Sequence, residues 1–271
     1  MSTPASTLQI TYDTERAIQF IELARPGQRN AMSLQMVEEL RQALASAERE
    51  RIRAIVLRGQ GGHFCAGGDV QDMMTARQAA ATAGSAPYIA MNRSFGHLLQ
   101  EAQASSAVLI VVLEGAVLGG GMGLVAVSDV ALAQQDAQFG LPETRLGLLP
   151  AQIAPFLRAR IGASATRRLA LLGLRFDATQ ALQLGLVHSV HADTASLQSA
   201  LTQTLADVQR CAPGANRQTK RLLQAMDSDL SPYLDQAAEF FAAAVQSEEG
   251  QEGGMAFMQK RLPHWAQEGG A

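Results

Sequence analysis

Cysteine is close to absent: Cys65 and Cys211 stand far apart, outside any Cys-x-x-Cys or histidine-rich context. A disulfide framework and a zinc site therefore drop out, no metal site is expected, and both residues are read as reduced thiols. Positive charge is not in excess either, with a formal net charge of -3 over 271 residues. That excludes the basic footprint of a nucleic-acid binder. No uninterrupted apolar run reaches the roughly 18 residues of a membrane span. The opening "MSTPASTLQITYDTERA" has no basic stretch followed by an apolar one, so no leader is read there and a cytoplasmic location is expected. Lysine is scarce as well: of 22 basic residues only Lys220 and Lys260 are lysines, which makes Lys260 conspicuous. What is plentiful is apolar residue, 47% of the chain, enough for one large core with or without an appendage.

Along the chain, "LQITYDTERAIQFIEL" reads as two short strands around an Asp-Thr-Glu turn. The loop "RPGQRNAMS" then feeds a helix with Ser33 as N-cap and Leu34, Val37, Leu40 and Leu44 as its apolar stripe. "AIVLRG" is a buried strand, followed by the glycine-dense loop "GQGGHFCAGGD". Residues 70–83 are helix-compatible but lack a strong apolar face, and a mobile segment is expected there. A helix over Tyr88 to Ala104, the strand "AVLIVVLEG", a second glycine loop, its helix and the strand "SDVALA" complete a recurring unit. Continuous apolar strands separated by helices indicate α/β layering around buried sheets. Beyond Ala163 "GLVHSV" is the one clear strand candidate. Helical patterns occupy Leu197 to Val208, Gln218 to Met226 and Pro232 to Val245, which sets an expected division between a core at 1–204 and a helical region at 205–271.

"LGGGMGLVAV", Leu118 to Val127, opens a helix with three consecutive glycines. A helix N-terminus offers unpaired N–H groups and partial positive charge, and glycine lets another atom approach them closely. If the Gly68 N–H in "FCAGGDV" converges on the same point, the two donors form an oxyanion hole. Close packing between layers explains glycine runs equally well. "GMGLVA" also fits a dinucleotide-binding fingerprint with an acidic residue about 20 positions downstream. Against that reading, "EGAVLGG" separates the apolar strand from Gly121, and no Lys-Ser or Lys-Thr follows to make a triphosphate loop.

Taken in order and spacing, "RPGQRNAMS", "GGHFCAGGDVQDM", "EGAVLGGGMGLVAVSDVALAQQDAQFGLPETRLGLLP" and "GGMAFMQKRLPHW" resemble the enoyl-CoA hydratase/isomerase, or crotonase, family, from about Ile10 to Trp265. The resemblance implies a spiral of repeated ββα units with a helical C-terminal region, assembled as trimers or dimers of trimers, that binds an acyl-CoA thioester. The thioester oxygen would lie between the N–H groups of Gly68 and Gly120. Ala66 and Asp69 would stand near the pantetheine arm, Gln28 and Arg29 near the nucleotide, and Phe257 and Lys260 would reach the CoA nucleotide, sometimes from a neighbouring subunit. No cofactor beyond the substrate's own CoA is implied.

Hydratases of this family commonly carry two glutamates, and the corresponding positions here hold Gly123 and Glu143. Glu143, in "GLPETRLG" behind a proline suited to the first turn of a short helix, is the candidate acid/base. One carboxylate can take a proton from water and then return it to Cα, or shuttle a proton between carbons, so hydratase and isomerase both stand, as does a non-catalytic acyl-CoA binder. Asp69, Glu114 and Asp129 have ordinary loop-capping explanations. The branch resembled most is that of hydratases acting on 3-substituted glutaconyl-CoAs, 3-methylglutaconyl-CoA of leucine breakdown or isohexenylglutaconyl-CoA of terpene breakdown. Arg145 is a candidate partner for the distal carboxylate of such a substrate, and an ion pair at the surface explains it equally. The small residues of Met73 to Pro87 are expected to border the acyl pocket.

Overall fold

A computed structural model describes residues 5–224 and 231–263. The His264 and Trp265 that close the last family motif, and the Ala225 and Met226 that close one helical pattern, lie outside the described residues. The chain opens with the antiparallel pair β1 (Leu8–Asp13) and β2 (Ile18–Leu23), in which Asp13 faces Ile18. Helix α1 (Leu34–Arg49) starts where Ser33 accepts a hydrogen bond from the Met36 N–H, and it buries Met36, Val37, Leu40 and Leu44. Strand β3 (Ala54–Gly59), helices α2 (Val70–Ala83) and α3 (Ala86–Ala104), and strand β4 (Val108–Leu113) follow.

Two ββα units come next. Strands β4 and β5 (Ala116–Leu118) lead to helix α4 (Gly120–Val127), and strands β6 (Val130–Gln134) and β7 (Gln138–Gly140) lead to helix α5 (Ala154–Leu172). In each unit the first strand joins a six-stranded sheet of order β1-β2-β3-β4-β6-β9 and the second joins a three-stranded sheet of order β5-β7-β8. Strand β8 (Arg175–Asp177), helix α6 (Ala178–Gln183) and strand β9 (Ser189–His191) complete both sheets. This is the expected crotonase-type α/β spiral, with the large sheet parallel throughout except for its first pair.

Alternation along the central strands feeds two cores. Ile55 and Leu57 of β3 and Leu109, Val111 and Leu113 of β4 join the main core. Ala54, Val56, Ile110 and Val112 face the other way, against Leu197, Leu201, Leu205 and Val208 of helix α7 (Thr194–Arg210). Burial on both faces is why these strands read as unbroken apolar runs. Helix α7 therefore covers the large sheet, and it runs across the expected division at 204/205, so the outlying helical region begins beyond Arg210. It comprises α8 (Pro213–Gln224), α9 (Ser231–Gln246) and α10 (Glu248–Met258). Helix α2 is helical as the sequence allows, with Ala76 its one buried residue. Among the described residues no helix is long and apolar enough to cross a membrane, and no cluster of metal-ligating side chains occurs.

Candidate active site

Three parallel segments bring the candidate residues together. Val117 of β5 is in register with Phe139 of β7 on one side and bridges Cys65 on the other. The bonds from Cys65 N–H to Ala116 O (2.9 Å) and from Leu118 N–H to Cys65 O (2.9 Å) lace the first glycine loop to β5. Three residues beyond this rung the chains reach Gly68, Gly120 and Pro142, with Glu143 one step further. All of them leave the carboxyl ends of side-by-side parallel segments, the place where α/β sheets present their ligand sites.

The local backbone then frees two donors. Met32 N–H donates to Gly67 O (2.7 Å) and Asp69 N–H donates to Met32 O (3.0 Å). In such a parallel bridge the intervening residue turns its own groups to the opposite side, so the Gly68 N–H points away from Met32, and Gly68 is exposed. Gly120 is the first residue of α4, where an N–H has no partner inside the helix. Among the described residues, neither the Gly68 nor the Gly120 N–H takes part in the hydrogen bonds of loops and caps. Gly119 makes the close approach possible: with φ 48 and ψ -113, a Cβ there would stand 3.1 Å from Glu143 Oε1 and 3.4 Å from Gly67 Cα. Backbone of both loops and the Glu143 carboxyl therefore meet at this glycine.

Glu143 opens a short 3-10 turn, Glu143–Leu146, after Pro142. Part of the residue remains accessible, but Oε2 is sealed from solvent and has no hydrogen-bond partner among the described residues. Burial pushes its pKa up to about 7, against a weaker opposing effect of its own backbone N–H. A carboxyl group poised there populates both protonation states near neutral pH, as an acid/base acting in two steps requires. The turn is held from outside by α10: a Cβ on Gly147 would fall 2.5 Å from Glu249 O, and one on Gly253 would fall 2.1 Å from Leu146 O. Helix and turn touch backbone to backbone.

The remaining candidates divide. Ala66 N–H donates to Arg29 O (3.0 Å), so the exposed Gln28 and Arg29 are joined to the first glycine loop. Asp69 is 7% exposed; it caps α2 by accepting from the Gln71 N–H (2.7 Å) and pairs with Arg25 at 2.6 Å, so its carboxylate is committed to the fold. Phe257 and Lys260 lie on and just after the helix that holds the Glu143 turn, with exposed side chains. Arg145 turns away from the site: its stem packs on Gly173 and its Nε donates to Leu172 O at 3.3 Å, at the carbonyl end of α5. Among the described residues no ion pair involves it, so the surface ion pair that the sequence allowed is not formed. Asp129 pairs with Lys220 at 2.6 Å and accepts from the Leu109 N–H, a structural role. Burial pushes the Cys65 thiol up to about 11, which keeps it protonated and inert near neutral pH.

Two residues important to the site escaped sequence reasoning. Asn30, fully buried at φ 56, accepts from the Arg25 N–H and donates to Gln60 O and His63 O, which fixes the entry to the first glycine loop. Phe95 of α3 lies against α4: a Cβ on Gly120 would meet its Cζ at 3.5 Å, and one on Gly123 would meet it at 3.1 Å. An asparagine in the loop after "RPGQR", a residue type that tolerates the left-handed conformation, is the signal that was there for Asn30; the Phe95–Leu99 spacing on α3 marks a shared helix face without naming what it meets.

Comparison with known proteins shows the family. The family described as enoyl-CoA hydratase/isomerase matches residues 13–268. Pseudomonas aeruginosa AtuE is 55% identical, with a TM-score of 0.78 over 96% of this chain and 100% of that one. An enoyl-CoA hydratase/isomerase from Marinobacter aquaeolei is 51% identical, with a TM-score of 0.79 over 97% and 100% of the two chains. The 2,3-dehydroadipyl-CoA hydratase of Escherichia coli K12 is 32% identical over 94% of this chain and 97% of its own.

Proposed function

The chain belongs to the enoyl-CoA hydratase/isomerase family, an enzyme with hydratase-type activity on enoyl-CoA thioesters, and on that premise we propose that it adds water across the double bond of a branched, 3-substituted enoyl-CoA. The observation that carries this reading is Glu143: a carboxyl with a sealed, unpartnered oxygen, beside the turn that frees the Gly120 N–H. In the proposed reaction the Glu143 carboxylate takes a proton from water as the water oxygen bonds to Cβ. The π electrons move through Cα onto the thioester oxygen, where the Gly68 and Gly120 N–H groups hold the negative charge more strongly than they hold the neutral carbonyl. The charge then returns, and the protonated Glu143 gives its proton to Cα. One water has been added, and Glu143 is again a carboxylate.

Proton transfer and oxyanion stabilisation account for every step, so the proposal calls for no cofactor beyond the CoA that the substrate carries. Glutaconyl thioesters substituted at C3, such as 3-methylglutaconyl-CoA or isohexenylglutaconyl-CoA, fit a site with one acid/base and apolar residues across from it. The hydratase from Escherichia coli that resembles this chain is likewise named for a dicarboxylic thioester, 2,3-dehydroadipyl-CoA. Gln28, Arg29 and Ala66 are proposed to line the CoA path, with Phe257 and Lys260 at its nucleotide end; the Asp69 carboxylate, already paired, is proposed to shape that path through its backbone. Exposed Leu171 and Leu172, 68% and 57% accessible, support assembly into a homotrimer or a dimer of trimers. A cytoplasmic setting belongs to the same proposal.

Turnover in 18O-water tests the reaction. Label in a 3-hydroxyacyl-CoA product supports hydration, whereas unlabelled positional isomers would make the enzyme an isomerase. Glu143→Gln should lower kcat by about 10²- to 10⁴-fold, the usual worth of a positioned acid/base. For the unaltered enzyme kcat/KM should rise as pH passes through about 7, where Glu143 loses its proton.

A further inference from the structure

Residue 123 lies in the first turn of α4, three residues after the Gly120 donor, and it is buried. The space a side chain would need there is filled. A Cβ built on Gly123 would stand 3.1 Å from Phe95 Cζ and 3.1 Å and 3.3 Å from the two Leu99 methyls. Leu99 is fully buried and has nowhere to go, while Phe95 is half-buried at the margin of the main core. The same Phe95 ring tip lies 3.5 Å from where a Gly120 Cβ would be, and Met32 Cβ lies 3.8 Å from it. The first turn of α4 thus has the Glu143 carboxyl against Gly119 on one side and an apolar wall led by Phe95 on the other.

We propose that Phe95 is a specificity-determining residue: its ring takes the room that a second carboxylate on α4 would occupy, and offers the acyl chain beside Cα and Cβ an apolar face in its place. Gly123 is then the residue whose lack of a side chain admits the ring, and the two positions are coupled. The inference rests on the reading of Glu143 as the acid/base. It deepens that reading by saying why one carboxyl suffices at this site and what kind of substituent the opposite wall accepts. A carbon branch gains from contact with an aromatic ring, whereas a second ionised group beside Phe95 would be desolvated without a partner.

The experiment compares Phe95→Ala, Phe95→Leu, Gly123→Glu and the double variant Phe95→Ala/Gly123→Glu. Each is assayed with crotonyl-CoA and with its 3-methyl counterpart, and Glu143→Gln is run alongside. Phe95→Ala should reduce the preference for the branched thioester, as a ratio of kcat/KM values, by about tenfold or more, the scale of a lost hydrophobic contact, and Phe95→Leu should restore most of it. Gly123→Glu alone should lose activity or soluble yield, and removing the ring in the double variant should recover it, with a second ionisation entering the pH profile. An unchanged substrate ratio in Phe95→Ala would overturn the inference, as would a Gly123→Glu enzyme as stable and active as the parent with Phe95 intact. Full turnover by Glu143→Gln would instead overturn the acid/base assignment, while the substrate ratio of the Phe95 variants would still report on the wall.

Discussion

On one side of the first turn of α4 stands a carboxyl group with one oxygen shut away from water and, among the described residues, unpartnered; on the other, Phe95 and Leu99 fill the space that a side chain at Gly123 would need. The two sides flank one helical turn and have opposite effects on the fold. Apolar packing on the Leu99 side stabilises it, as burial of a large side chain does. Burial on the Glu143 side raises a carboxyl pKa, which destabilises the folded protein wherever that carboxyl is ionised. Chemistry and stability are thus divided across one helical turn.

The comparison can be broken most severely from the apolar side. Leu99→Ala should cost about 2–5 kcal/mol, the range for a fully buried leucine, in chemical denaturation, while the activity of the surviving folded enzyme keeps its midpoint near pH 7. A midpoint displaced along with stability would mean the two sides are not separable. Next comes Glu143→Gln, read as stability. The Glu143 pKa is raised from 4.5 to about 7 on folding. The folded state therefore holds the proton more tightly, and its relative stability is full below about pH 4.5 and is lost as pH rises through about 7. Glutamine carries no such penalty, so the variant should gain up to about 3 kcal/mol at pH 8 and nothing at pH 4. An equal gain at both pH values would rule out burial of charge as the source.

Gly119→Ala tests the hinge between the two sides. Its φ of 48 and ψ of -113 suit glycine alone, and the new methyl would press on Glu143 Oε1. A loss of about 1–3 kcal/mol is expected, with a fall in kcat as the carboxyl is displaced. The smallest effect belongs to a position whose added methyl touches neither side. A Cβ on Gly254, inside α10, meets nothing within 4 Å, so Gly254→Ala should raise stability by about 0.5–1 kcal/mol with turnover unchanged.

Much of the candidate site was legible through the family resemblance of its motifs rather than from spacing alone. The two glycine loops and Glu143 fall at intervals that the strand register turns into adjacency, and Ser33 caps α1 as its sequence context indicates. Strands β7 and β8 were not legible, since three residues each are too few to display an alternating pattern. The stripe Leu197, Leu201, Leu205 and Val208 announces a buried face without saying that the large sheet lies beneath it, which is why the expected domain division cut through α7. The placement of Arg145 was hidden for a related reason. Two residues from Glu143 along a 3-10 turn is two thirds of a revolution, so the two side chains share no face, and that of Arg145 emerges on the α5 side. Phe95 was invisible as a partner of Gly123, because helical periodicity fixes which way a ring points and not what it meets.

The contact of Gly253 with Leu146 and of Gly147 with Glu249 ties the segment bearing Glu143 to a helix that emerges from the ribosome about a hundred residues later. A nascent chain that has finished both sheets still lacks the brace behind the Glu143 turn until residues 248–258 arrive. The order of synthesis therefore lets the two glycine loops be in place well before the Glu143 turn is held from behind.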